Sequence, residues 1–98
     1  MSVELVTGTF EAHLGETFNG TPSHAGEPLE LVLSSCVESP HARPDHPAFS
    51  LFFDAADADV REQQIFALEH AKLGQFDLFL VPVGRTESGG VSYEAVVN

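Results

Sequence analysis

Cys36, His41, Asp45 and His46 are the side chains of this sequence that come nearest to a metal-ligand set. A structural zinc site draws its ligands into a tetrahedron, usually from closely spaced Cys and His pairs. The spacing Cys-x4-His-x3-Asp-His matches no such pattern and supplies a single thiolate. The segment therefore reads as a Pro-rich loop, and neither a metal nor a cofactor is expected. A second constellation is the acidic run Asp54, Asp57, Asp59 and Glu62. A calcium loop of the EF-hand type needs alternating oxygen ligands, a central Gly and a closing bidentate Glu. Asp57 and Asp59 alternate, but the Gly is missing and Glu62 comes too early. A solvated acidic loop is the expectation.

Nucleophilic catalysis would need Ser34, Ser35 or Cys36 beside a His base and an orienting acid. The sequence has no Gly-x-Ser-x-Gly turn and no phosphate-binding or dinucleotide-binding Gly pattern. By alternation His70 shares a face with Phe66 and Leu68. It reads as a histidine at the rim of a β-structure, placed to donate a hydrogen bond that pins the turn after it. The protein is not expected to be an enzyme.

Composition narrows the partners. Fifteen Asp and Glu stand against four Lys and Arg, a formal net charge of −11. Arg43, Arg61, Lys72 and Arg85 are scattered, so no basic patch exists to neutralise phosphates, and nucleic acid and anionic membrane are not expected partners. A negative surface serves solubility, basic partners or cations. The segment MSVELVTGTF has neither the basic n-region nor the apolar h-region of a signal peptide. No apolar run approaches the ~20 residues that span a bilayer. With Cys36 alone, no intramolecular disulfide can form, whereas small secreted domains usually carry several. The expected location is cytoplasmic, and residues 1–98 are expected to form one domain.

The elements that must position these side chains are mostly strands. Val3, Val6, Phe10 and Leu14 recur at helical spacing before Gly15, which predicts a short helix around Thr9 to Leu14. A strand is expected to begin at Thr17. Leu29, Leu31 and Leu33 share one face of the next, and Phe49, Leu51 and Phe53 one face of another. Phe66 and Leu68, then Phe76, Leu78 and Leu80, then Tyr93 and Val97 continue the period of two. Pro82 lacks a backbone donor and belongs at a strand end or edge. Over residues 54–70 propensity and pattern disagree. Asp54, the Ala and Glu content, late His70 and Lys72, and Gly74 favour a helix, whereas alternation favours a strand over 63–70. These readings give an all-β fold: a meander of five to six strands closing into a small antiparallel barrel or a two-sheet sandwich, with a short N-terminal helix.

Leu68-Glu-His70, Leu73-Gly74, Phe76-Asp-Leu-Phe-Leu-Val-Pro-Val-Gly84 and Tyr93-Glu-Ala-Val-Val-Asn98 together resemble an uncharacterised bacterial family, domain of unknown function 6916. Phe10 to Phe18 and Phe49-Ser-Leu-Phe-Phe53 are similar to it as well. In that family a short loop feeds the strand before the Leu-Glu-His string, which favours a loop over 55–62 and a strand over 63–70. The Ala- and Asp-rich loop here departs from the family's Gly and Pro. The resemblance supplies no catalytic residue, and it implies a structural or accessory role of a phage-tail-like kind.

The outward positions of the strands bear on function directly. Val32, Phe52, Ile65, Phe79, Val81 and Val96 point away from the inward set and are nonetheless apolar. A sheet face in water carries polar residues at such positions. Either the N-terminal helix covers this face or a partner does. The expected function is a non-catalytic interaction or assembly module, acting through Val32, Phe52, Ile65, Phe79 and Val81, or through sheet edges, on a protein partner or a second copy. The alternative is a small barrel that holds an apolar small molecule among its Phe and Leu side chains.

Overall fold

Alternating burial is the rule along this chain, and it produces strands wherever it runs unbroken. The computed structural model describes residues 7–40 and 48–97. Its elements are α1 (Thr7–Glu11), β1 (Thr17–Pro22), β2 (Leu29–Glu38), β3 (Phe49–Ala55), β4 (Gln64–His70), β5 (Gly74–Arg85) and β6 (Val91–Val97). All strand pairs are antiparallel and close into a barrel in the order β1-β2-β3-β6-β5-β4. The barrel thus replaces the open choice between barrel and sandwich. It is not the expected meander: β3 lies beside β6 rather than β4, and β1 pairs with β4 to close the ring. Strands β3 to β6 form a Greek key, with residues 56–63 as its long connection.

Burial along β4 alternates without exception from Gln64 to His70. Packing decides this segment against its helical propensity, because a strand sends Phe66 and Leu68 into the core while a helix would not. The inward set Leu29, Leu31, Leu33, Phe49, Leu51, Phe53, Phe66, Leu68, Leu78, Leu80, Tyr93 and Val97 is buried, and Phe76 is half-buried against it. Phe10 and Phe18 join them, both fully shielded from solvent. The rings interlock, Phe18 edge-on to Phe53 at 5.5 Å and Phe66 beside Tyr93 at 6.0 Å. The barrel interior is a packed core. Gly20 faces inward on β1, where a Cβ would come within 2.9 Å of the Leu31 Cδ1.

Two bulges adjust the wall. One in β2, between Leu33 and Ser35, shifts the register against β3 and re-phases the rest of the strand, so that Cys36 turns inward and Val37 outward. The other, between Pro82 and Gly84 in β5, sits beyond the last β4 partner, Leu80. Pro82 is therefore inside a strand, at a place where its missing N–H costs no β4 ladder bond.

The two ends are closed by different devices. Helix α1 ends at Glu11, earlier than expected, because the chain must dock on β2: the Gly15 N–H donates to the Leu33 carbonyl (2.8 Å) and the Leu33 N–H to that of Glu16 (3.1 Å). Gly15 makes this turn at φ 84°. Phe10 plugs the opening, its ring 6.0 Å from Phe49 and 5.8 Å from Phe76. Leu14 is exposed, and Val3 and Val6 lie outside the described residues. Residues 56–63 cross the opposite end between β3 and β4. Among the described residues no helix is long and apolar enough to cross a membrane.

Candidate functional site

Three sites merit comparison: the histidine cluster at the α1 end, the acidic loop at the other end, and the outer wall. His70 closes β4, with its ring between Phe18 (4.5 Å) and His13 (4.6 Å). Its Nδ1 accepts the backbone N–H groups of Lys72 (3.1 Å) and Leu73 (3.2 Å), and its Nε2 meets Glu16 Oε1 at 2.7 Å. The expected bond to the turn therefore runs in the opposite sense, with His70 accepting and not donating. An accepting Nδ1 carries no proton, so the ring proton sits on Nε2 and is donated to the Glu16 carboxylate. His13 Nδ1 reaches the same carboxylate oxygen at 3.0 Å. The two histidine bonds, that from His70 first, hold the Glu16 carboxyl below its ordinary range.

His13, Glu16 and His70 bring their ligand atoms within 4.8 Å of one another, and two imidazoles with a carboxylate can bind a transition metal. A metal-bound histidine offers one lone pair to the ion and donates its other N–H to an acceptor. His70 has this the wrong way round: the nitrogen facing Glu16 holds the proton, and the nitrogen behind it faces two backbone donors. The arrangement fits a hydrogen-bonded clasp that ties β4, its turn and the entry to β1 together. Sequence reasoning missed Glu16 and His13, because the contact joins residues 54 apart with no spacing signal.

The acidic run is likewise tied into the fold. Asp57 Oδ1 accepts the Asp59 N–H (2.9 Å), and Oδ2 pairs with the Arg61 guanidinium (3.0 Å). These two contacts, that of the Asp59 N–H first, hold the Asp57 carboxyl below its ordinary range. Arg61 is buried and also donates to the carbonyls of Glu27 (3.1 Å) and Asp59 (2.8 Å), while its N–H donates to the Tyr93 hydroxyl (3.0 Å). Buried Gln64 accepts the N–H groups of His24 and Ala25 and donates to the Ala25 and Glu62 carbonyls. The loop is thus a lid stitched to the β1–β2 turn. Asp54 lies outward on β3, opposite Val32, so the four acids do not converge. A lone Arg amid an acidic run was the available signal for Arg61, and counting it with scattered surface charges hid it.

The remaining chemical candidates contribute little. Ser34 donates its hydroxyl to the Phe52 carbonyl (2.9 Å). Cys36 is half-buried against the core; burial first, and Glu11 second, push its thiol up and deplete the thiolate. His41, Asp45 and His46 lie outside the described residues.

The outer wall holds the apolar residues that the alternation singled out. Ile65 and Phe79 are register partners across β4 and β5, about half exposed at 49% and 51%. Val81 pairs with Glu94, and Glu94 with Phe52 on β3; Phe52 and Val81 are half-buried. Extending the Val81–Glu94 register by two residues sets Phe79 beside Val96, 63% exposed. Phe52, Ile65, Phe79, Val81 and Val96 thus form one cluster across β3, β6, β5 and β4. Val32 is exposed but lies apart from it beside Asp54, near the opposite end of the wall. Val37 extends the row past Ser50, a position that alternation alone assigns to the interior, since the β2 bulge is invisible to it. Helix α1 does not cover this face. It sits on the barrel end, and the face stays exposed.

The family model for a domain of unknown function, DUF6916, matches residues 5–97. The chain belongs to this family. The match spans α1, the whole barrel and both end closures of this DUF6916 domain. No curated protein and no solved structure matches it.

Proposed function

We propose that this DUF6916 domain is a non-catalytic interaction module that docks a partner protein on the outer face of β4, β5 and β6. The observation that carries the reading is the cluster of Ile65, Phe79 and Val96, all about half exposed or more on neighbouring strands. Large apolar side chains grouped in this way mark binding surfaces more often than idle ones. Support also comes from the groups that might have done chemistry. His70, Glu16, Asp57, Arg61 and Ser34 are engaged in hydrogen bonds within the fold. Binding of an apolar small molecule inside the barrel is the weaker reading, because fully buried Phe18, Phe53, Phe66 and Tyr93 fill the interior. Barrel closure likewise turns the reading from sheet edges to the face itself. In this picture the domain is an accessory part of a larger assembly, of the phage-tail-like kind that the family resemblance suggested.

Photo-crosslinking tests the surface. A benzophenone amino acid is placed at Phe79 and, as a control, at exposed Glu30 on the far wall. Adducts with another protein from position 79 and none from position 30 are expected. Equal adducts from both, or none from position 79, would overturn the proposal.

A further inference from the structure

We infer that the partner seated on this face is a basic one, an apolar protein surface ringed by Lys or Arg, and not a second copy of this chain. The inference rests on the interaction reading above and concerns the occupant. Outward positions around the apolar cluster carry acids: Asp77 two residues before Phe79 on β5, Glu69 further along β4, and Glu94 between Val81 and Phe52. Among the described residues the strands carry no Lys or Arg beside Asp77 or Glu94; exposed Lys72 lies in the β4–β5 turn, past Glu69 and at the end of that hairpin away from Phe79. Arg85, at the far end of β5, donates to the Ala58 carbonyl, and Arg61 is buried and paired with Asp57. The face is therefore an apolar cluster with Glu94 within it and Asp77 beside it, and its one nearby cation, Lys72, in the turn beyond Glu69, on a chain of net charge −11.

A second copy would bring the same surface to itself, since a two-fold interface joins identical patches. Asp77 and Glu94 would then approach their own counterparts without a compensating cation. A basic border on the partner reverses the sign of every one of these contacts. It also draws the two proteins together over the screening length of ~10 Å at 0.1 M salt.

The test uses the intact chain and a dye-labelled synthetic amphipathic peptide of Leu and Lys. Control peptides keep the pattern as Leu and Glu or as Ser and Lys. Anisotropy is read at low and high salt for wild type, Phe79→Ser and the pair Asp77→Asn with Glu94→Gln. Both variants alter exposed or half-buried outer positions, and circular dichroism checks that each keeps its fold. The Leu–Lys peptide is expected to bind, with affinity falling about tenfold in each variant and falling again with salt; the two controls should bind far more weakly. Equal binding of the Ser–Lys peptide, or no loss in Phe79→Ser, would overturn the assignment of the face. Equal binding of the Leu–Glu peptide would overturn the basic character of the partner. Should wild type instead self-associate and Phe79→Ser dissolve the oligomer, the interaction reading would stand and the basic partner would fall. A monomer that binds no peptide would count against both.

Discussion

Replacing His70 by Ala tests the clasp at the α1 end. The substitution removes the acceptor of two backbone N–H groups, those of Lys72 and Leu73. Each such bond contributes about 1 kcal/mol net. Lys72 is exposed, so water replaces part of its share, whereas half-buried Leu73 is harder to resolvate. The buried ring also packs on Phe18, and truncating it adds about 1–2 kcal/mol of lost contact and cavity. The sum is about 3 kcal/mol before any share from the exposed Glu16. For a domain of this size that lowers Tm by roughly 12–24 °C. Urea unfolding gives the free energy directly. Nitrogen-15 shifts of the His70 ring report the tautomer, with Nδ1 expected bare and Nε2 protonated, and unmoved by one equivalent of zinc. A loss below about 1 kcal/mol, or a ring that takes up zinc through Nε2, would rule the clasp out.

Three other outcomes are expected from the same geometry. Glu16 has a folded pKa below its ordinary value of about 4.5, so the unfolded chain binds more protons in that range. Its stabilisation is present above pH 4.5 or so and is lost as pH falls through the lowered folded value. Glu16→Gln should flatten the acid limb of urea stability, and parallel wild-type and variant curves would contradict this. Gly90→Ala drives a Cβ into the Ala55 carbonyl oxygen, an overlap only backbone movement can relieve; a loss of about 3 kcal/mol is expected by thermal denaturation. Phe66→Ala should cost about 3–5 kcal/mol with no ligand uptake, and an unchanged Tm would mean that the barrel interior is not packed as described.

What could be read from the residues was the facing of side chains, and its reach ended where non-local contact took over. Period-two alternation placed Leu29, Leu31 and Leu33 inside and Ile65 and Phe79 outside, because a pleated strand in a half-buried wall obeys only that constraint. Over β4 alternation only balanced the helical propensity of the residues, and the family resemblance tipped the reading to the strand that is found. Alternation is silent on which strands pair, so the β3–β6 and β1–β4 neighbours, and with them the closed Greek key, were out of reach. A bulge adds one residue without any compositional mark, so alternation carried on from Leu33 would put Val37 inside, where it is in fact exposed. The end contacts join distant parts of the chain: Glu16 meets His70 across 54 residues and Arg61 meets the Glu27 carbonyl across 34, separations that no local pattern reports.

Native mass spectrometry of the protein purified from its own host, beside Phe79→Glu prepared in the same way, bears most directly on the docking face. Phe79 is about half exposed, so the substitution should leave the fold intact. Wild type should carry a second, different chain that Phe79→Glu lacks. A bare wild-type monomer, or a partner retained unchanged by Phe79→Glu, would mean that this face is not where the domain docks.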